Sequence, residues 1–154
     1  MIETRLIELG IELPLPSPSL ANYLPYTKIG PLVFLSGQLP TWNGELRYTG
    51  KIGQDYTVEE GREAARICLF NILAQLKLAC EGNLNHVLRC VRLGGFVNCT
   101  DDFMDHAKVL NGASDLMVAI FSERGRHSRA AVGVNSLPLR ASVELEAIFE
   151  VGKS

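Results

Sequence analysis

Residues 143–151 read Val-Glu-Leu-Glu-Ala-Ile-Phe-Glu-Val, with apolar side chains at 143, 145, 147, 149 and 151 and glutamates at 144, 146 and 150. A period of two is what a strand shows when one face meets a core and the other something polar. Working backwards, Arg129-Ala-Ala-Val-Gly-Val134 reads as the preceding strand, joined to the last through Leu137-Pro138. Val87 to Val97 is rich in β-branched and apolar residues and reads as another. Leu32-Val-Phe-Leu35, an apolar run between Gly30-Pro31 and Ser36-Gly37, fits a buried strand. Asn43-Gly44 is a strong hairpin signal, because both central positions of a type I′ turn need φ > 0, so an extended piece is expected at 45–49.

Two stretches between these strands read as helices. Thr57-Val-Glu-Glu60 forms a capping box, followed by Ala65, Cys68, Leu69, Ile72, Leu73, Leu76 and Ala79 at three- and four-residue spacing. That helix is expected to end near Cys80, before Gly82. A second is expected over Phe103 to Phe121, with Gly112 an unexplained weak point inside it. Ile2 to Leu9 suggests a short helix, and Leu13-Pro-Leu-Pro-Ser-Pro-Ser19 an extended connector, because its prolines forbid helix. Residues 1–19 thus read as an arm attached to one domain spanning 1–154. The order of elements gives an α+β fold, a sheet with two helices on one face. Its other face is left to water or to another subunit.

The 154 residues suffice for one core without disulfides or metal. Fifteen Lys and Arg against seventeen Asp and Glu leave a net charge of −2, so the basic excess that drives phosphate binding is absent and nucleic acid is not expected as an obligate partner. No apolar run is long enough to span a bilayer, and Met1-Ile-Glu-Thr-Arg5 puts charges where a signal peptide needs apolar residues. No membrane association and a cytoplasmic location are therefore expected. The cysteines at 68, 80, 90 and 99 form no CxxC pair and read as packed small thiols. His86, His106 and His127 share no ligand spacing with them, so no metal is expected. Nucleophile-elbow, phosphate-loop and dinucleotide motifs are missing as well.

The polar residues on strands remain. Arg129 is followed by Ala130, Ala131, Val132 and Gly133, small neighbours that leave room beside a guanidinium suited to gripping a carboxylate with two donors. The plainer reading is a solvated strand-start charge, or one paired with Glu144 or Glu146 across the sheet. Glu144 and Glu146 share one face of the last strand, where a carboxylate could orient a water or simply be solvated. Ser36-Gly37-Gln38 follows a strand, and Gly37 either admits a ligand to bare backbone or makes a turn.

Taken together, Tyr23, Gly30, the 32–35 strand, Ser36-Gly-Gln38, the capped helix, Arg129, Leu137-Pro138 and Val143-Glu-Leu-Glu-Ala-Ile148 resemble, in order, the Rid family of reactive-intermediate imine deaminases, formerly the YjgF family. The likeness covers about residues 20–151. Its most specific part is an arginine followed eight residues later by the Leu of Leu-Pro and fifteen later by the first Glu of Val-Glu-Leu-Glu-Ala-Ile.

The resemblance implies a chorismate-mutase-like two-layer fold with a mixed sheet, assembled as a homotrimeric barrel with clefts between subunits. It implies hydrolysis of enamine and imine intermediates such as 2-aminoacrylate to 2-keto acids and ammonia, without a cofactor. By position the family's carboxylate-binding arginine is Arg129 and its water-positioning glutamate is Glu144. Its serine is Ser36, beside the Gly37 backbone, and its tyrosine is Tyr23. Its helix asparagine corresponds to Asn111 or to Ser114. Many members carry Cys two residues after the arginine, where this chain has Ala131; the 100–127 region is longer, and the arm is extra. Two other functions fit the same resemblance: a 2-keto acid binding or regulatory protein without turnover, and a ribonuclease, against which stand the low positive charge and the missing aromatic-basic track.

Overall fold

The alternating stretch at the C-terminus forms the middle strand of a five-stranded sheet. The computed structural model describes residues 1–18 and 22–152. Along the chain run α1 (Ile2–Glu8), β1 (Tyr26–Ile29), β2 (Leu32–Gln38), β3 (Thr41–Trp42), β4 (Glu45–Leu46), α2 (Val58–Ala79), β5 (Val87–Asn98), α3 (His106–Phe121), β6 (Ser128–Val134) and β7 (Val143–Val151). The sheet order is β1-β2-β7-β5-β6, antiparallel throughout except for the parallel β5–β6 pair that α3 connects. The expected mixed α+β sheet with both long helices on one face is what the chain adopts.

The two rows of β7 have different surroundings. Val143, Leu145, Ala147, Phe149 and Val151 are buried beneath α2 and α3, where each large side chain contributes about 1.5–3 kcal/mol. Glu144, Glu146, Ile148 and Glu150 face the other way. Their cross-strand partners put Phe34, Phe96 and, one strand further, Val132 on the same open face. The apolar members are only partly covered, Val132 being 44% exposed. A sheet face that combines partly covered apolar side chains with carboxylates is a candidate surface for a second chain.

Thr57 caps α2 as expected. Its hydroxyl accepts from the Glu60 N–H at 3.2 Å, and the Glu60 carboxylate accepts from the Thr57 N–H at 3.1 Å. Asn43 and Gly44 both have positive φ, 49° and 88°, in the turn joining β3 to β4. Gly112 does not break α3: it is buried, and a Cβ there would collide with the backbone of Arg62, so it marks the place where α2 and α3 touch.

Two expectations are corrected and one strand is added. The second long helix starts at His106, not Phe103, because Thr100 to Phe103 is a turn in which the Phe103 N–H donates to the Thr100 carbonyl at 3.2 Å. Ser36 and Gly37 are not a turn after a strand but part of β2, at a register shift between Leu35 and Gln38. The strand β1, which no hydrophobic alternation announces, pairs with β2 on the sheet's edge.

The arm lies across the helices. Leu6 is buried, Lys77 pairs with Glu3 at 2.9 Å, the Leu84 N–H donates to the other Glu3 oxygen at 2.8 Å, and Arg5 Nε donates to the Ala119 carbonyl at 2.9 Å. Further on, Gln75 Nε2 donates to the Ser17 carbonyl at 2.8 Å, and the Leu15 N–H donates to Asn43 Oδ1 at 2.9 Å. Ser19 lies outside the described residues. Among the described residues no helix is long and apolar enough to cross a membrane.

Candidate active site

Arg129 is the second residue of β6, opposite Leu93 of β5, which is fully buried. Its side chain therefore leaves the sheet on the helix side, where α3 meets it. Arg129 Nη1 donates to Asn111 Oδ1 at 2.9 Å and to Ser114 Oγ at 3.0 Å. Both residues that the resemblance offers for its helix position, Asn111 and Ser114, thus bond the arginine. Among the described residues the Nε–H and Nη2 donors have no partner, which leaves one side-on fork for a carboxylate. Ala131, next along the same row, is partly buried against the core.

Glu144 leaves the opposite face. It stands across from Phe96 on β5, and on its other side Gly37 is so close that a Cβ there would collide with the Glu144 carboxylate. The carboxylate is half-buried, and burial raises its pKa, with Glu146 on the same face raising it further. Ser36 adjoins this group: its N–H donates to the Pro25 carbonyl at 2.9 Å and its hydroxyl to the Leu24 carbonyl at 2.5 Å. Those bonds hold residues 23–25 alongside β2, with Tyr23 exposed at their start.

The expected residues thus form two groups. Arg129, Asn111 and Ser114 lie on the helix side of the sheet, while Glu144, Gly37 and Ser36 lie toward the open face, with Tyr23 exposed next to the Leu24 that Ser36 bonds. Arg129 is not paired with Glu144 or Glu146, because the sheet stands between them.

One contributor was not singled out in the sequence. His127 Nε2 lies 2.9 Å from Ser114 Oγ, and its Nδ1 lies 2.5 Å from the Gly125 carbonyl. Its place just before β6, two residues ahead of Arg129, was the available signal.

Other features take no part. All four cysteines are reduced and buried, and burial pushes the Cys90 thiol up to about 12. Cys99 and His106 border a cleft of about 310 Å³, and a larger one of about 660 Å³ lies between Lys28, Pro31, Cys80 and His86. Neither includes Arg129 or Glu144. Among the described residues no three His, Cys, Asp or Glu side chains converge as metal ligands.

An α+β sheet bearing an arginine tethered to its crossover helix, and a glutamate packed on a glycine of the neighbouring strand, agrees with what comparison with known proteins finds. Residues 3–150 match the family described as "YjgF/chorismate mutase-like, putative endoribonuclease", and the chain belongs to that family, the Rid family of the resemblance above. It is 41% identical over 151 residues to Protein TCP17 of Trypanosoma cruzi, covering 97% of this chain and 94% of that one. A crystal structure of a protein from Agrobacterium tumefaciens shares 46% identity, with a TM-score of 0.91 over 99% of this chain and 94% of the other. RidA from an Antarctic Psychrobacter shares 27%, with a TM-score of 0.60 over 89% and 94%. The backbone thus follows the Agrobacterium protein more closely than RidA.

Proposed function

We propose that the chain hydrolyses 2-aminoacrylate-like enamines and imines to 2-keto acids and ammonia. The observation that carries this reading is the state of Arg129: two helix side chains occupy one of its nitrogens and leave the side-on fork for a carboxylate. Water adds readily to an imine carbon once it is bound, so positioning supplies the catalysis and no cofactor is required. Arg129 anchors the carboxylate. Glu144 orients the water, and its half-buried carboxylate, whose pKa burial raises, holds a proton more readily than a free glutamate. Ser36, Gly37 and Tyr23 shape the wall around that water.

Because the sheet separates Arg129 from Glu144, a working site takes its arginine from one copy and its glutamate from the next. The partly covered Phe34, Phe96, Ile148 and Val132 on the open sheet face support such an assembly, which we take to be a homotrimer. The nucleic-acid alternative has no charge to support it, since the net charge is −2.

The test is pyruvate release from 2-aminoacrylate, generated in place by a dehydratase acting on serine, with wild type and Arg129→Ala side by side. Acceleration by wild type alone is the expected result. If neither protein accelerates the reaction while 2-keto acids stabilise wild type only, the cleft binds without turnover and the deaminase reading falls. RNA cleavage by wild type that is lost in Arg129→Ala would replace it with a nuclease.

A further inference from the structure

Arg129 is held by a line of hydrogen bonds that runs beyond the two side chains it touches. Its Nη1 donates to Asn111 Oδ1 and to Ser114 Oγ, which uses both hydrogens of that nitrogen and fixes the guanidinium plane. The Ser114 oxygen in turn lies 2.9 Å from His127 Nε2. At the other side of the ring, His127 Nδ1 faces the Gly125 carbonyl at 2.5 Å. A carbonyl can only accept, so by elimination Nδ1 carries the ring hydrogen and Nε2 offers a lone pair. The Ser114 hydrogen has its acceptor there, and with the hydrogen turned to His127 an oxygen lone pair faces Nη1. Every donor along the line points away from the arginine and toward the backbone.

The far end of the line is anchored as well. Gly125 is buried, and it packs so closely on α3 that a Cβ there would collide with the Met117 backbone. The line therefore closes on one element: Ser114 belongs to α3, and the carbonyl that orients His127 rests against the same helix.

We propose that His127 is a positioning residue for the carboxylate grip of Arg129. By accepting the Ser114 hydrogen it keeps the serine oxygen turned to Nη1, and so keeps the Nε and Nη2 donors aimed as one side-on fork. It acts through Ser114 and touches no substrate. The inference rests on the reading of Arg129 as the carboxylate anchor. Without the imidazole the hydroxyl is free to rotate, one of its rotamers sets its hydrogen against Nη1, and the fork tilts. Carboxylate affinity then falls, while the chemistry of a molecule already bound is left nearly as it was. Glutamine can replace the imidazole in both functions, its amide N–H donating to Gly125 and its oxygen accepting from Ser114, whereas leucine fills the space with neither.

The test measures pyruvate Kd by calorimetry, and KM and kcat on 2-aminoacrylate, for wild type, Arg129→Ala, Ser114→Ala, His127→Gln, His127→Leu and the Ser114→Ala/His127→Leu double variant. His127→Leu is expected to raise pyruvate Kd and KM roughly 5-fold with kcat changed less than about 2-fold, and His127→Gln to recover most of that loss. On a Ser114→Ala background His127→Leu is expected to add nothing, because the hydroxyl it acts through is gone. Melting curves check the folding of each variant, and His127→Ala repeats the cycle with a side chain too small to strain the turn. A packing role gives another pattern: leucine close to wild type and glutamine worse, or an equal loss with and without Ser114. Either result overturns the inference, as does a fall in kcat with KM unchanged. Pyruvate binding by Arg129→Ala as tight as by wild type overturns the anchor reading and the inference with it. If wild type binds pyruvate through Arg129 but releases none from 2-aminoacrylate, the deaminase reading falls, and the Kd pattern by itself upholds or overturns the role of His127.

Discussion

Arg129 and Glu144 sit two strands apart in one sheet and point to opposite faces of it. Inactive chains carrying one lesion each should therefore complement one another. Arg129→Ala and Glu144→Gln proteins, each inactive alone, are expected to recover about a quarter of wild-type activity when denatured together and refolded at equal amounts, since that fraction of interfaces pairs an intact arginine with an intact glutamate. Pyruvate release by the mixture checks this, and an inactive mixture of well-folded chains would show that the site lies within one copy.

Asn111 holds the guanidinium by a hydrogen bond to a charged group, an interaction worth about 1.5–3 kcal/mol. Asn111→Ala leaves Ser114 as the only tether. A rise in KM of roughly 10-fold is expected, with kcat changed much less, because what is lost is orientation of the carboxylate grip. Steady-state kinetics on 2-aminoacrylate separates the two parameters.

Gly37 gives the Glu144 carboxylate its place. In Gly37→Ala the new methyl group meets the end of a flexible side chain, so the carboxylate moves and the backbone need not. Turnover is expected to drop by about 10- to 100-fold while the melting temperature stays close to wild type. A large loss of stability with activity retained would contradict the placement.

The raised pKa of Glu144 carries a stability consequence of definite sign. The folded chain holds the proton more tightly than the unfolded one, so this group favours folding below its unfolded pKa, and the advantage disappears as pH rises through the folded value. Glu144→Gln, which cannot ionise, is expected to melt higher than wild type at neutral pH and to lose the advantage in acid. Melting curves across pH check it.

At Gly112 two effects compete. Alanine would improve helix propensity by about 1 kcal/mol, whereas its methyl would push into the Arg62 backbone, and overpacking against backbone costs about 1–3 kcal/mol or more. Net destabilisation of Gly112→Ala is expected, visible as a lower midpoint in urea. The same contact explains why a glycine sits inside α3.

Much of this was legible in the residues because it depends on local rules. The alternation of 143–151, the Thr57–Glu60 box and the Asn43-Gly44 turn each carry their own geometry, whereas Arg129, Glu144, Ser36 and Gly37 each had a plainer structural reading and took their expected roles from the family resemblance. What lay hidden depends on neighbours remote in sequence. The strand β1 is mostly exposed and carries no alternation of its own, so only its pairing with β2 defines it. Which face of the sheet Arg129 takes is set by pairing with Leu93 and by α3, neither visible along the chain. His127 gains meaning only once Ser114 lies beside it.

The N-terminal helix finds its partners late. Glu3 is anchored by Lys77, Leu84 and Asn85, and Arg5 by the carbonyl of Ala119, so its contacts reach across 74 to 114 residues of chain. During synthesis these first residues leave the ribosome long before their docking surface exists. They must wait until most of the domain has emerged, and so α1 closes over a fold already formed. In hydrogen exchange α1 should accordingly open before α2 and the central strands, as a separate unit of low protection.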